Sequence, residues 1–352
     1  MKTNKDILIL GIESSCDETS VSVVKNGRTV LSNVISSQIN IHKKYGGVVP
    51  EIASRKHIEN IDVVMKEALR KSKVNLKDIN IIAVTYGPGL IGPLLVGLSY
   101  AKGLSLSTNI PFIGINHIEG HIASNYISNP NLTPPFVSLI VSGGHTNLVH
   151  IYDYNKFKIY GSTHDDACGE AYDKVARVLG FTYPGGPKLE KAALKGVSGA
   201  YTFPRGKIED NEYDFTYSGL KSHVINIIHN IKQKNKDKIS ETDINNISYE
   251  FQNSIIDSLI SRTISLANKL GEKKVAICGG VSANDAIKNA LEKACDENNI
   301  SFYYPEKMYT TDNAAMIGAA GYYKYINGYR SDISLNANAN LMFDNDYIRN
   351  MK

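Results

Sequence analysis

The sequence predicts an α/β protein that contains two copies of one structural unit. An apolar segment at 7–11 leads into a polar loop and then into a hairpin over 21–34, which turns at Asn26-Gly27. The same order returns later, with a strand at 137–141, a glycine loop and a second strand pair over 148–160. The loops of the two units begin at Ser14 and Ser142. This self-similarity indicates an internal duplication.

The rest of the chain alternates between helical and strand patterns, which is typical of α/β architecture. An early helix is indicated by an apolar stripe of Ile58, Ile61, Met65 and Leu69. Further strands are predicted at 81–85, 111–116, 274–278 and 301–304, and further helices at 90–106, 246–270, 283–295 and 312–325. Pro134-Pro135 marks the boundary between halves. We therefore expect subdomains at 1–133 and 134–330, a last helix that could return to the first half, and a tail at 331–352.

Length and composition limit the class of protein. The 352 residues are enough for two domains or one large duplicated body, and 42% of them are hydrophobic. Without an apolar run of about 18–20 residues or a secretory signal, we expect a cytoplasmic protein with no membrane contact. Four scattered cysteines fit reduced thiols. The net charge of +4 permits contact with nucleic acid but does not require it.

Residues 117–121 read His-Ile-Glu-Gly-His. Two histidines four residues apart on a helix can point at one metal ion. In a zinc peptidase of this spacing a general-base Glu directly follows the first His, whereas Ile118 stands there and Glu119 points away from the metal side. The pattern indicates a metal site without peptide hydrolysis. Spacing alone leaves open a chance pair on an amphipathic helix.

Small residues follow three predicted strands, at 13–19, 141–146 and 278–284. Such loops let backbone amides approach a phosphate, although ordinary tight turns need the same glycines. None matches a Gly-x-x-x-x-Gly-Lys-Ser/Thr loop. The closest pattern is the duplicated phosphate-loop fold that actin, sugar kinases and Hsp70-type ATPases share. That resemblance implies two subdomains around a central nucleotide cleft.

Ten segments together resemble one family, tRNA N6-adenosine threonylcarbamoyltransferase (TsaD), formerly called O-sialoglycoprotein endopeptidase. They extend in order from about residue 7 to 328: GIESSCDETS at 11–20, GGVVPEIASRKH at 46–57, GPGLIGPLLVG at 87–97, NHIEGH at 116–121, VSGGHT at 141–146, DDACGEAYDKVARVLG at 165–180, YPGGP at 183–187, FTYSGLK at 215–221, GGVSAN at 279–284 and TDNAAMIG at 311–318.

The resemblance implies a role for particular residues. His117, His121 and Asp312 match the family's ligands for one Fe²⁺ or Zn²⁺ ion per subunit, which leaves coordination positions open for substrate. The positions that match the binding site for threonylcarbamoyl-AMP are Ile140, Val141, Ser142, Gly143, Gly144, Asp173, Gly186, Glu190 and Asn284. Glu190 departs from the Asp of many bacterial relatives, which changes the reach of the carboxylate.

The implied reaction transfers threonylcarbamoyl from its adenylate to N6 of the adenosine at position 37 of ANN-decoding tRNAs. The exocyclic amine is a poor nucleophile, so the donor needs the good leaving group that a mixed anhydride with AMP supplies. The metal would stabilise negative charge on the acyl group. We hypothesise that Asp17 or Glu18 accepts a proton or orients the amine. Capping of the loop is the alternative for both.

The resemblance also implies partners: a TsaB-like paralogue that pairs with the N-terminal half, where 49–69 is a candidate surface, and a TsaE-like ATPase. The basic run at 221–238 could lie near tRNA, although a solvated helix face is the favoured explanation. An ATPase or kinase of the same fold competes with the transferase, but magnesium kinases prefer carboxylates and water to imidazole. A metallopeptidase is disfavoured by Ile118. A non-catalytic scaffold remains open.

Overall fold

A computed structural model describes residues 6–206 and 211–343. Within these ranges, the chain forms two compact units. The first comprises 6–134, 153–156 and 305–343, and the second comprises 135–152, 157–206 and 211–304. Among the described helices, none combines the length and the apolar character needed to cross a membrane.

Each unit contains one five-stranded sheet. The first sheet consists of β1 Leu8–Glu13, β2 Glu18–Lys25, β3 Thr29–Ser37, β4 Ile81–Gly87 and β5 Phe112–Asn116, in the spatial order β3-β2-β1-β4-β5. The second consists of β6 Phe136–Val141, β7 Thr146–Asp153, β8 Lys156–Ser162, β9 Lys274–Cys278 and β10 Ser301–Tyr303, in the order β10-β9-β6-β7-β8. The two orders are equivalent when β1 is matched to β6, which confirms the predicted duplication.

The helices lie between and after the strands. They are α1 Ile39–His42, α2 Pro50–Ser72, α3 Ile91–Thr108, α4 His117–Ser128, α5 Cys168–Val178, α6 Gly186–Ala193, α7 Ser218–Lys234, α8 Glu241–Leu270, α9 Asp285–Glu297 and α10 Ala314–Ile326. Gly280–Ala283 forms a 3-10 turn before α9. The predicted hairpin turn is confirmed, since Asn26 and Gly27 both have positive φ, 52° and 70°.

The first sheet is covered by helices on two faces because side chains alternate along each strand. Leu10 and Ile12 belong to a core shared with α2 and α3. On the other face α10 approaches the backbone of β1, and a Cβ on Gly11 would lie 2.2 Å from the carbonyl oxygen of Ala314. Helix α10 therefore packs closely against the sheet of the first unit.

The predicted stripe on α2 was right for Ile61 and Met65 and wrong for Ile58, whose side chain is 66% exposed. The inward position is taken by His57 instead, which is fully buried. Its ring bonds to the hydroxyl of Thr19 at 2.8 Å and to the carbonyl of Cys16 at 3.0 Å. Because of these polar contacts, the buried face of α2 includes His57 and excludes Ile58, unlike the face that apolar residues alone predict.

The second sheet carries a larger apolar core, to which α5, α7 and α8 contribute. Alternate residues of β6, Val137, Leu139 and Val141, belong to this core. Strands β6, β9 and β10 are parallel neighbours, so the loops that follow β6 and β9 leave the same edge of the sheet. This arrangement brings two of the predicted glycine loops together.

Candidate active site

Helix α4 begins at His117, directly after β5, so the histidine motif lies at the carboxyl edge of the first sheet. Asn116 caps the helix, because its side-chain oxygen accepts a hydrogen bond from the amide of Ile118 at 2.9 Å. His117 and His121 lie one turn apart with ring centroids separated by 4.6 Å. Both side chains are buried, at 8% and 0% exposure.

Asp312 lies two residues before α10 and faces both rings. Its Oδ1 is 3.4 Å from Nε2 of His117 and 3.5 Å from Nε2 of His121. One ligand atom from each of the three residues lies within 4.8 Å of the others. The structure thus brings together the three residues that the resemblance assigned to the metal.

The chemistry of this cluster fits a metal ion. Neither ring nitrogen of His121 has a hydrogen-bond partner among the described residues, although both are buried. Burial of an unpaired polar nitrogen costs free energy, which a bound metal would offset by taking the lone pair of Nε2. Two imidazoles and one carboxylate suit iron or zinc, and they leave positions open for a substrate.

Glu13 lies behind His117 and was missed as a member of the site. Its side chain is 0% exposed and accepts hydrogen bonds from Ser15 N at 2.5 Å, Thr85 Oγ1 at 2.7 Å and His117 Nδ1 at 3.1 Å. In the sequence it stood only within a loop of small and polar residues. A carboxylate at the end of an apolar strand was the available signal, because such a charge needs partners inside the fold.

Burial and the charges of the cluster shift the pKa values of the two histidines in opposite directions. Burial by itself would lower the pKa of His117, but the carboxylates of Asp312 and Glu13 outweigh it and raise that pKa well above its ordinary value. Burial lowers the pKa of His121. Burial opposes ionisation of Asp312, yet the neighbouring His117 holds the Asp312 pKa below its ordinary value. The cluster therefore favours a positive charge between its carboxylates.

The predicted carboxylates of the first loop, Asp17 and Glu18, adjoin this cluster. Asp17 is buried at 7% exposure, and its carbonyl accepts a hydrogen bond from the amide of Gln38. Glu18 is half-buried and accepts a hydrogen bond from Ser37 Oγ at 2.9 Å. Burial, followed by the charges of Asp312 and Asp17, raises the pKa of Glu18 to about 9. Glu18 is therefore protonated at neutral pH.

Glu119 is turned away from the metal ligands, as its position in the motif predicted. Its Oε2 lies 2.6 Å from Nζ of Lys324 on α10, and Lys324 is only 2% exposed. A carboxylate held in a buried ion pair is not available as the base of a metallopeptidase. The structure thus supports the exclusion that Ile118 suggested.

In the second unit, the loops after β6 and β9 are in contact. Gly279 has φ of 91°, and a Cβ there would lie 2.4 Å from the carbonyl oxygen of Val141. The amide of Gly169, in the first turn of α5, donates to the carbonyl of Ser142 at 3.1 Å. Gly143 and Gly144 are exposed, and a Cβ at either would meet no atom within 4 Å. These loops leave open backbone that a phosphate could approach.

Two predicted substrate-binding residues of the second unit, Asp173 and Glu190, accept hydrogen bonds from backbone amides of neighbouring turns. Asp173 Oδ1 accepts hydrogen bonds from the amides of Gly185 and Gly186, at 2.9 and 3.0 Å. Glu190 Oε1 accepts one from the amide of Asp285 at 2.8 Å. The longer Glu side chain therefore still reaches the start of α9.

Asn284 caps α9 through a hydrogen bond from the amide of Ile287 and donates to Gln252 Oε1 at 3.1 Å. Gln252, buried on α8, is a further polar group at this turn that no sequence pattern singled out. Ile140 and Val141 have fully buried side chains. Only their backbone could face a ligand.

The lysines of the basic run at 221–238 fall into two groups, those with partners in the fold and those that face solvent. Lys221 forms an ion pair with Asp166, and Lys232 donates to the carbonyl of Val178 at 2.8 Å. Lys234, Lys236 and Lys238, at and after the end of α7, are all exposed. The first two lysines stabilise the fold, whereas the last three form a solvated basic end.

Solved structures with the same architecture define the class of this protein. HypF from T. kodakarensis superimposes with a TM-score of 0.63 at 16% identity, over 92% of this chain and 48% of HypF, so this chain spans about half the length of HypF. Component A of (R)-2-hydroxyglutaryl-CoA dehydratase from Acidaminococcus fermentans gives 0.51 at 17% identity, over 91% of this chain and 99% of that one. Fold and site together define a duplicated, actin-like α/β protein with a His-His-Asp cluster that could hold a metal.

Sequence relatives identify the family within that class. The profile of the TsaD family, described as tRNA N6-adenosine threonylcarbamoyltransferase, matches residues 29–319. Proteins with that name from Clostridioides difficile strain 630 and Clostridium kluyveri are 51% and 52% identical, over 96% of this chain and 98% of each relative. The chain belongs to the TsaD family. It is a transferase that modifies tRNA.

Proposed function

We propose that the protein transfers the threonylcarbamoyl group of threonylcarbamoyl-AMP to N6 of the adenosine at position 37 of ANN-decoding tRNAs. The proposal is carried by one observation in the first unit. His117, His121 and Asp312 converge with ligand atoms within 4.8 Å of one another, and the imidazole of His121 is buried without a hydrogen-bond partner among the described residues. A Fe²⁺ or Zn²⁺ ion held there would act as a Lewis acid that stabilises negative charge on the threonylcarbamoyl group.

The glycine loops of the second unit bind the adenylate in this proposal. The amides of Gly143 and Gly144 belong to an exposed loop with open space around each Cα, which suits close approach of the phosphate. Asp173, Glu190 and Asn284 hold the adjoining turns through the hydrogen bonds described above. They orient the nucleotide by fixing those turns, and Asp173 also offers Oδ2 to a ribose hydroxyl.

The reaction forms a bond between N6 and the carbamoyl carbon and breaks the bond from that carbon to the phosphate oxygen, so AMP leaves. The amine must lose one proton, and we assign its acceptance to Asp17. Glu18 holds a proton at neutral pH, because its pKa is raised to about 9, so it orients the amine or the acyl oxygen by donating a hydrogen bond. Replacement of both by Ala should abolish transfer. Full activity of that double variant would exclude a role for either.

We further propose that a TsaB-like paralogue and a TsaE-like ATPase assist the reaction. The candidate surface for the paralogue at 49–69 lies on α2, where Ile58 and Val63 are each 66% exposed. The lysines at 234, 236 and 238 are candidates for contact with the tRNA backbone. Contacts of this kind weaken with salt, whereas apolar pairing does not.

The decisive experiment incubates the purified protein with threonylcarbamoyl-AMP, an unmodified ANN-decoding tRNA and the two partner proteins. Digestion of the RNA and mass spectrometry then detect threonylcarbamoyladenosine. We expect the nucleoside with the native protein and none with the His117→Ala, His121→Ala double variant. If no modified nucleoside forms while this chain alone hydrolyses ATP, the proposal is wrong and an ATPase of this fold takes its place.

A further inference from the structure

The carboxylate of Glu13 contacts the ring nitrogen of His117 that does not face Asp312. Glu13 Oε2 lies 3.1 Å from Nδ1 of His117, whereas Nε2 of the same ring lies 3.4 Å from Asp312 Oδ1. Glu13 has no exposed surface, so this contact is shielded from water. The reaction described above assigns no role to this buried charge.

The topology of the first sheet creates this contact. Glu13 is the last residue of β1, Thr85 lies near the end of β4, and His117 follows the last residue of β5. These three strands are parallel neighbours, so their carboxyl ends lie along one edge. Glu13 therefore meets a donor from each of the next two strands: the hydroxyl of Thr85 and the ring of His117.

We propose that Glu13 is a positioning residue for the metal: it accepts the Nδ1–H of His117, fixes the tautomer that presents Nε2 to the ion and increases the basicity of that nitrogen. The inference rests on the metal site proposed above. Histidines that bind metals commonly donate their second ring N–H to a carboxylate or carbonyl, which fixes the orientation of the ring. The distances around His117 match this arrangement.

The charges support the assignment. Glu13 and Asp312 bring two negative charges to the cluster, while imidazoles that coordinate a metal are neutral. A divalent cation balances both carboxylates. Burial of a carboxylate without a compensating positive charge is strongly destabilising. The buried Glu13 thus stabilises the metal-bound state in particular.

Ser15 offers an alternative partner for the same nitrogen. Its Oγ also lies 3.1 Å from Nδ1 of His117, but a hydroxyl carries no charge. A hydrogen bond between neutral groups is weaker than one to a charged acceptor. Replacement of each residue in turn therefore separates the two roles, with Ser15→Ala as the matched control for Glu13→Gln.

The test measures Zn²⁺ affinity of the metal-free full-length protein by competition with a coloured chelator, with folding of each variant checked by circular dichroism. We expect Glu13→Gln to weaken the affinity on the order of 10–100-fold and Ser15→Ala to weaken it less than about fivefold. A purely structural role would lower the melting temperature of the metal-free protein and leave the affinity of the folded molecules unchanged. That result, or a larger loss in Ser15→Ala, would overturn the assignment.

A second measurement needs no variant. In Zn²⁺-loaded wild-type protein with ¹⁵N-labelled histidine rings, the proposal requires a proton on Nδ1 of His117 and none on Nε2. A proton on Nε2 would refute it even if Glu13→Gln does not fold. Failure of the wild-type protein to bind Zn²⁺, Fe²⁺ or Co²⁺ would instead exclude the metal site itself, so the two proposals fail in different ways.

Discussion

Lys324 Nζ lies 2.6 Å from Glu119 Oε2, and this buried ion pair connects α10 to the histidine helix α4. Lys324 is 2% exposed and the Glu119 side chain 15% exposed. The pair therefore helps to fix the helix that carries His117 and His121 against the helix that follows Asp312. The ion pair also gives Glu119, the Glu of the histidine motif, a structural role.

Removal of one partner of this pair should destabilise the protein strongly. Lys324→Met leaves the carboxylate of Glu119 buried without its cation, which typically costs about 3–5 kcal/mol. We expect a corresponding loss in the free energy of unfolding, measured by chemical denaturation. The double variant Lys324→Met, Glu119→Gln should recover much of that loss, because no charge then remains unpaired. Equal stability of the single variant and the wild type would contradict the prediction.

Removal of the metal should reduce both activity and thermal stability. A chelator is expected to abolish tRNA modification, and addition of Fe²⁺ or Zn²⁺ should restore it. A ligand that binds only the folded state at about 100 times its dissociation constant stabilises that state by about 2.7 kcal/mol. Differential scanning calorimetry should therefore show an upward shift of the melting temperature with metal in the wild type. His121→Ala is the control that should show a much smaller shift.

Glycine substitutions should have opposite effects at two positions of the first unit. In Gly11→Ala the new Cβ would lie 2.2 Å from Ala314 O and 2.9 Å from Gly318 N, so α10 must move, at a cost on the order of 3 kcal/mol. Gly103 is exposed within α3, and a Cβ added there would meet no atom within 4 Å. Gly103→Ala should stabilise by about 1 kcal/mol, because Ala is the better helix former. Denaturant midpoints of the two variants test both signs.

Stability should fall in acid partly because of His57. Burial lowers the pKa of His57 from its usual 6.5. As the pH falls below 6.5, the unfolded chain binds a proton that folded His57 does not, so unfolding becomes easier. The stability that this pKa shift contributes is fully present at neutral pH and is lost as the pH falls below about 6.5. The loss amounts to at most about 1.4 kcal/mol per pH unit.

The measurement is the free energy of unfolding between about pH 7.5 and about pH 5 in the wild type and in His57→Asn. The variant should be less stable at neutral pH, since the contacts to Thr19 and Cys16 are altered, but its stability should depend less on pH. An identical pH dependence in both proteins would show that His57 does not contribute.

The segment after α10 should stabilise α4, the helix that carries His117 and His121. Ser331 N donates to the carbonyl of Phe112 at 2.9 Å, and the amide of Gly114 donates to Ser331 Oγ at 2.9 Å, so the segment covers the edge strand β5. The side-chain amide of Asn116 donates to the carbonyl of Met342 at 3.2 Å. Truncation after Arg330 removes these contacts and the apolar packing of Leu335.

We expect that truncation to lower the free energy of unfolding by roughly 2–4 kcal/mol and to weaken metal binding, because the cap of α4 loses its support. Truncation after Phe343 is the matched control, since it keeps every one of these contacts. Unchanged melting temperature and Zn²⁺ affinity after the longer truncation would contradict the prediction.

Local sequence patterns predicted most of the strands, because alternation and apolar runs report on neighbours within a few residues. The strand at 274–278 was placed at the observed bounds, and the repeated unit was recognised from its loops. The helical stripe on α2 was partly wrong, since His57 is buried by polar contacts that hydrophobicity does not register. The start of α8 at Glu241 is set by the Ser240 cap rather than by the apolar pattern.

The sequence by itself determined the α/β class, the duplication and the histidine pair, because all three depend on order and spacing along the chain. Membership of the TsaD family likewise follows from its motifs. Only the tertiary structure decided what surrounds the site: Glu13 behind His117, Lys324 against Glu119 and Met342 against Asn116. These partners are separated by between 104 and 226 positions in the chain. Which of them meet depends on how parallel strands and returning helices pack, and a local pattern carries no information about that.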